Sequence, residues 1–174
     1  MKWGEITGKE IAKEMKSVAK NVFKDNTPAC VCVGVVGRLG GYKNQRATDG
    51  GQKQVYVGLS GETGRTLLRE TLKVDRAKII SMLTTMADVQ VKQYRSKKDG
   101  PAINQAEPWA THNCAESNLA LYLITELGKN LRNITIASYQ KVGDQVSYKP
   151  LCNNCAQWVK QNFHILQEYD AHNG

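Results

Sequence analysis

The chain has 174 residues, 41% of them hydrophobic and 23% charged, with a formal net charge of +8 at pH 7. This length suits one globular domain with a real core and is short for two, so residues 1–174 read as a single unit. No apolar run approaches the roughly 20 residues of a membrane-spanning helix, and Met1-Lys2-Trp3-Gly4-Glu5 leads into a charged amphipathic stretch, so neither a membrane protein nor an N-terminal secretory signal is expected.

The charge is uneven. Residues 1–100 hold 19 Lys and Arg against 10 Asp and Glu, whereas residues 101–174 hold 5 against 6. A basic excess of this size suits attraction to a polyanion such as nucleic acid, and equally a solvated basic surface.

Residues 7–23 open with Thr7-Gly8-Lys9-Glu10, a capping-box pattern, and place Ile11, Met15, Val18 and Val22 at helical spacing. The other faces of this helix carry Lys9, Lys13, Lys16 and Lys20. Two strands follow, Cys30 to Val36 and Gln54 to Leu59, which read as a hairpin with a long loop. That loop, Gly41 to Lys53, mixes Tyr42 with Lys43, Arg46 and Lys53 and is a candidate grip for a nucleotide chain.

From Arg65 to Tyr94 the spacing predicts two helical pieces, with Leu67, Leu68 and Leu72, then Ile79, Leu83 and Met86, facing the core. Arg95 to Pro101 breaks this pattern with charge and Gly-Pro punctuation. Ala115 to Leu127 reads as a helix ending near Gly128, and Ile134 to Ala137 as a short buried strand. A loop passes through Gly143-Asp144, Cys152 to Phe163 reads as a further helix, and His164 to Leu166 as a final edge strand.

Five cysteines are an odd number, which argues against a purely disulfide framework. Cys30 and Cys32 lie in a run of β-branched residues and read as core packing. The other three form a pattern: Cys114-Ala115-Glu116, then 38 residues after Cys114 the pair Cys152-Asn153-Asn154-Cys155. Three thiolates suit a catalytic zinc, since a closed structural site takes four ligands and leaves no position for water. Helix starts carry partial positive charge that favours thiolate, and both motifs fall at expected helix starts.

Cys114-Ala115-Glu116 with the later Cys152-x-x-Cys155 resembles the cytidine deaminase superfamily, whose signature is a His or Cys two residues before a Glu, then Pro-Cys-x-x-Cys. The resemblance implies a three-layer α/β/α fold with a mixed central sheet flanked by helices. It implies that Cys114, Cys152 and Cys155 hold Zn2+, which carries a water of lowered pKa, and that the catalytic Glu116 shuttles the proton to the ring nitrogen and the leaving ammonia. One departure is visible: the proline is Pro150, with Leu151 between it and Cys152.

Free-nucleoside deaminases follow their second strand with an Asn-x-Glu motif that holds the ribose, whereas this chain has Ser60-Gly61-Glu62. The Ser60-Gly61 end of the strand, the long loop through Gly143 and Asn154-Cys155 look like the deaminase domains of bacterial polymorphic toxins. That likeness implies deamination of cytosine in nucleic acid, DNA first, inside the cytoplasm of a competing cell that a larger secreted or injected toxin reaches, and an immunity protein as partner. Tyr56, Ser60, Trp109, His112 and Tyr148 are the candidate substrate-binding residues near the motifs. Three other readings stay open: a deaminase of free cytidine, deoxycytidine or a nucleotide; a non-catalytic nucleic-acid-binding module with a structural zinc; and a structural zinc site with His112 as fourth ligand.

Overall fold

Strict alternation along the strands decides which side chains meet which helices. The computed structural model describes residues 8–36, 55–92, 107–110 and 113–166. In chain order these form α1 (Gly8–Asp25), β1 (Val31–Val36), β2 (Val55–Leu59), α2 (Gly61–Leu72), α3 (Arg76–Lys92), α4 (Ala115–Thr125), β3 (Ile134–Val142), β4 (Gln145–Lys149), α5 (Val159–Asn162) and β5 (His164–Ile165). The long loop between the first two strands and His112 lie outside the described residues.

The sheet runs β2-β1-β3-β4 with every neighbour antiparallel, and β5 joins β3 in parallel through Thr135 and Ile136. It is therefore a mixed sheet with helices on both faces, the three-layer α/β/α arrangement expected. One face carries Val31, Val33, Leu59, Ala137 and Tyr139 and packs against Ala12, Met15, Ala19 and Phe23 of α1. The opposite face carries Cys30, Cys32, Ile134 and Ile136 and packs under Leu119 and Leu123 of α4, with Ile79 and Leu83 of α3 in the same cluster. α4 is buried along nearly its whole length because the sheet lies on one side of it and α2 and α3 on the other.

Local signals explain the breaks. Lys73 takes a left-handed φ of 56° and closes α2 by donating its N–H to Arg69 O at 2.8 Å. Asp75 Oδ1 accepts from the Lys78 N–H at 2.8 Å and so caps the start of α3. Gly143, at φ 60°, turns the tight hairpin from β3 into β4. Among the described residues no helix is long and apolar enough to cross a membrane.

Three expectations are corrected. The strand expected over Ile134 to Ala137 continues to Val142 and pairs with β4, which forms where a loop is expected. The helix expected from Cys152 to Phe163 is instead a 3-10 turn at Cys155–Gln157 followed by the short α5. The two are split at Trp158, which leaves helical φ for −145° and buries its indole completely. Leu67, expected in the core, is 41% exposed, and only Leu68 beside it is buried.

α4 approaches the sheet closely because position 58 has no side chain. A Cβ on Gly58 would lie 2.5 Å from Ala115 O and 2.6 Å from Leu119 Cβ. Gly58→Ala must therefore push α4 off the sheet. The expected cost is about 1–3 kcal/mol, with a melting temperature lower by roughly 2–12 °C, measured by thermal and urea unfolding.

Candidate metal centre

Cys114 is the N-cap of α4, with extended φ and ψ of −74° and 140°, so its side chain sits at the positive end of that helix. Its carbonyl accepts from both the backbone N–H and the side-chain Nδ2 of Asn118, at 3.3 and 2.9 Å, which fixes the cap. Cys152 follows β4 after Pro150 and Leu151, and its carbonyl accepts from the Ala156 N–H at 2.9 Å in one helical turn. That turn carries Cys155 to the same place. The three Sγ atoms lie within 4.8 Å of one another, with Cys114 and Cys152 3.5 Å apart.

Tetrahedral zinc with bonds of about 2.3 Å sets its sulfurs roughly 3.8 Å apart, so the three thiols could hold a metal ion with small adjustment. Sulfur donors suit zinc and disfavour magnesium or calcium. Cys152 is the most acidic of the three, pulled down to about 2 by hydrogen bonds from the Cys114 and Cys155 thiols and from the backbone N–H groups of Cys155 and Asn154. Cys114 and Cys155 are pushed up, first because each donates to a neighbouring sulfur and then by burial.

Glu116, in the first turn of α4, is 5% exposed. Its Oε1 accepts from Ser138 Oγ at 2.7 Å, and its Oε2 accepts from the Cys155 thiol at 3.5 Å. The thiols and this carboxylate thus come from two parts of the chain, the start of α4 and the turn after β4, with Ser138 of β3 added as a third. Ser138 has no local signature in the sequence and is selected by strand parity, since Ile134, Ile136 and Ser138 share the α4 face.

A cavity of about 210 Å³ opens over this cluster. Cys114, Glu116 and Cys152 line it together with Ser60, Trp109, Asn113 and Lys149. Of the residues singled out in the sequence, Ser60 and Trp109 belong to this wall. Ser60 is locked across the strand end: its Oγ accepts from the Cys30 N–H at 2.9 Å, and its N–H donates to the Cys30 carbonyl at 3.0 Å. Trp109 is 38% exposed, its carbonyl accepts from Asn154 Nδ2 at 2.8 Å, and Lys149 Nζ sits 6.0 Å from its ring centroid.

Tyr56 lies elsewhere, in a second cavity of about 300 Å³ beside β2, with its ring 6.3 Å from Tyr122 and Lys129 over its face. Tyr148 lies on the α1 face of the sheet, in the core beside Tyr139 and across the sheet from the thiols. The physical reason is parity, because Tyr148 alternates with Lys149, and it is Lys149 that faces the cavity. The exposed lysines of α1, Lys13, Lys20 and Lys24, also lie on the far side of the sheet.

Cys30 and Cys32 are buried, as expected of core packing, yet Cys30 also lines the cavity. Burial, and then the nearby Glu116 carboxylate, push both thiols up. Asn113 has no local signature in the sequence, because what distinguishes it comes from a distant helix: Arg65 of α2, only 6% exposed, donates from Nη1 to Asn113 Oδ1. Arg65 is in turn paired with Glu62 at 2.7 Å, and Arg76 donates to the same carboxylate at 3.1 Å. Arg76 and then Arg65 hold the Glu62 carboxyl below its ordinary pKa.

Comparison with protein-family models, curated proteins and solved structures found no match for this chain.

The thiol geometry sets the proton balance of metal uptake. Thiolates would be the ligands; the neighbouring donors pull Cys152 well below the usual thiol range while Cys114 and Cys155 are pushed above it, so metal uptake is expected to expel protons from the latter two. Calorimetry in buffers of different ionisation enthalpy is expected to show about two protons released per zinc near pH 7, with affinity falling as pH falls. Alanine at Cys114 or Cys155 should reduce bound zinc, measured by elemental analysis, to well below one per chain.

Proposed function

We propose that this protein is a zinc-dependent hydrolytic deaminase that converts cytosine to uracil in nucleic acid, DNA first, as the toxin domain of a larger secreted or injected protein. The observation that carries this reading is a buried carboxylate beside three clustered thiols on the floor of an open cavity: Glu116 lies 3.5 Å from Cys155 and lines the same pocket as Cys114 and Cys152. A purely structural metal site has no task for such a carboxylate, whereas hydrolysis needs a group that moves a proton.

Cys114, Cys152 and Cys155 would hold the ion, which supplies a water of lowered pKa near neutral pH when bound. Ser138 holds Glu116 Oε1, so the carboxylate is oriented before substrate arrives. Ionisation of Cys155 as a ligand removes its thiol proton from Oε2, which leaves that oxygen to accept the proton of the attacking water. Glu116 then passes the proton to the ring nitrogen next to the amino-bearing carbon, which makes that carbon electrophilic. The hydroxide left by that transfer adds there, Glu116 takes the proton of the new hydroxyl and gives it to the amine, and the C–N bond breaks as ammonia departs and the uracil carbonyl forms. Cytosine and water thus become uracil and ammonia.

The cavity supports a base presented by a polymer. At about 210 Å³ it is smaller than the roughly 300–1,000 Å³ of sites for drug-sized molecules, and it has room for a single heterocycle. Glu62, the residue available to grip a free ribose, is engaged by Arg65 and Arg76 and does not line the cavity. At the rim, exposed Trp109 offers a stacking face with a lysine above it, a pairing suited to a base and its phosphate. Lys149 in the cavity wall adds attraction to a polyanion.

Incubating the zinc-loaded protein with single-stranded DNA, duplex DNA, RNA and free cytidine, then sequencing or chromatographing the products, is expected to show uracil in DNA. Conversion confined to free cytidine overturns the polymer assignment. Glu116→Ala should lower turnover by about 10²–10⁴-fold while keeping its zinc, and full activity in that variant overturns the mechanism. Ser138→Ala is expected to lower kcat by roughly tenfold with little change in KM, because the carboxylate is then held less firmly.

A further inference from the structure

We infer that Asn113 selects the base by donating a hydrogen bond to the ring carbonyl that cytosine carries next to its reacting amidine. This rests on the deaminase reading of the same cavity and specifies what the cavity accepts. Asn113 lines the pocket directly before Cys114, and its own backbone N–H is tied to Ala110 O at 3.0 Å. Its side chain has one defined orientation. Arg65 has only donors, so the atom of Asn113 it meets must be the carbonyl oxygen, and the carboxamide nitrogen is left with its two N–H groups.

Arg65 itself has little freedom to swing away. It is 6% exposed, and its Nε and Nη2 both donate to Glu62 Oε2, at 3.1 and 2.7 Å, while Nη1 serves Asn113. The chain from Glu62 through Arg65 to Asn113 therefore sets an amide orientation at the pocket wall. Ser60 adds a second donor: its Oγ already accepts from the Cys30 N–H, which leaves the hydroxyl proton to give. Lys149 adds a third. Apart from the thiols and Glu116, the polar side chains lining the cavity thus offer hydrogens.

A donor wall selects an acceptor. In cytosine the ring nitrogen that receives the proton from Glu116 is bonded to a carbon bearing a carbonyl oxygen, whereas in adenine the corresponding carbon bears only hydrogen. Cytosine therefore satisfies Asn113 and adenine leaves it unpaired in a partly buried site, a difference that costs the wrong base affinity. Asn113 is a specificity residue for the base, and Arg65 is its positioning residue.

The test uses binding, so it does not depend on turnover. Zinc-loaded Glu116→Ala protein is titrated by fluorescence anisotropy with two single-stranded oligonucleotides of otherwise adenine sequence. One carries a single cytosine; the other carries at that position the C-nucleotide of 2-aminopyridine, which keeps the amino group and adjacent ring nitrogen but has C–H in place of the carbonyl. The expected result is about tenfold tighter binding of the cytosine strand. Adding Asn113→Ala, or Asn113→Asp with the same shape and no donor, should bring the two strands to within about twofold, with zinc content unchanged. No preference in the parent, or a preference that survives in both variants, overturns the inference, as does an equal loss for both strands. Uracil formation by the protein with Glu116 intact decides the deaminase reading separately. A base preference lost at Asn113 without any turnover removes the reaction and keeps Asn113 as a base-reading residue, while turnover without a preference removes Asn113 alone.

Discussion

The close approach of α4 to the sheet at Gly58 is the constraint on which the rest of the structure depends. A glycine opposite Ala115 O and Leu119 lets the helix lie directly on β2, and the N-terminus of that helix then arrives beside the strand ends. Cys114 as cap and Glu116 two residues later inherit their positions from this contact. With a bulkier residue at position 58, both would move away from the carboxylate's partner on β3, Ser138.

Around this fixed helix start, buried polar groups are arranged in pairs. Ser138 and Cys155 occupy the two oxygens of Glu116, Asn118 doubles the hydrogen bonding at the Cys114 carbonyl, and Arg65 spans from Glu62 to Asn113. A buried charge or polar atom without a partner is costly, so satisfied pairs of this kind hold a site in one geometry. Glu107 and Asn154 extend the principle to the rim: Glu107 accepts from the Asn153 N–H at 2.9 Å, and Asn154 donates to the Trp109 carbonyl. The segment bearing Trp109 is thereby tied to the turn bearing Cys152 and Cys155.

The two faces of the sheet divide the labour. The α1 face is an apolar core with Tyr139 and Tyr148 inside it, and the α4 face carries the thiols, the carboxylate and the cavity. The site thus draws on four of the five strands: Cys30 just before β1, Ser60 just after β2 and Lys149 on β4 line the cavity, and Ser138 on β3 holds Glu116. The basic stripe of α1 belongs to the other side, so attraction of a polyanion to the cavity falls to nearer groups such as Lys149.

Most helices and the first two strands were legible in the sequence because their signals are local: a period near 3.6 or 2, a capping residue, a glycine at a turn. The spacing of Cys114, Glu116, Cys152 and Cys155 was legible for the same reason, since chemistry that needs thiolates beside a carboxylate leaves those residue types in order along the chain. What the sequence left undecided was set by contacts between distant segments. Strand parity in β4 sent Tyr148 into the α1 core and Lys149 to the cavity, burial of Trp158 split the last helix, and Arg65, 48 residues away in sequence, oriented Asn113. Residue types and spacing determine which chemistry the chain can host, whereas the direction in which each side chain points depends on packing partners that only the folded sheet and its helices bring together.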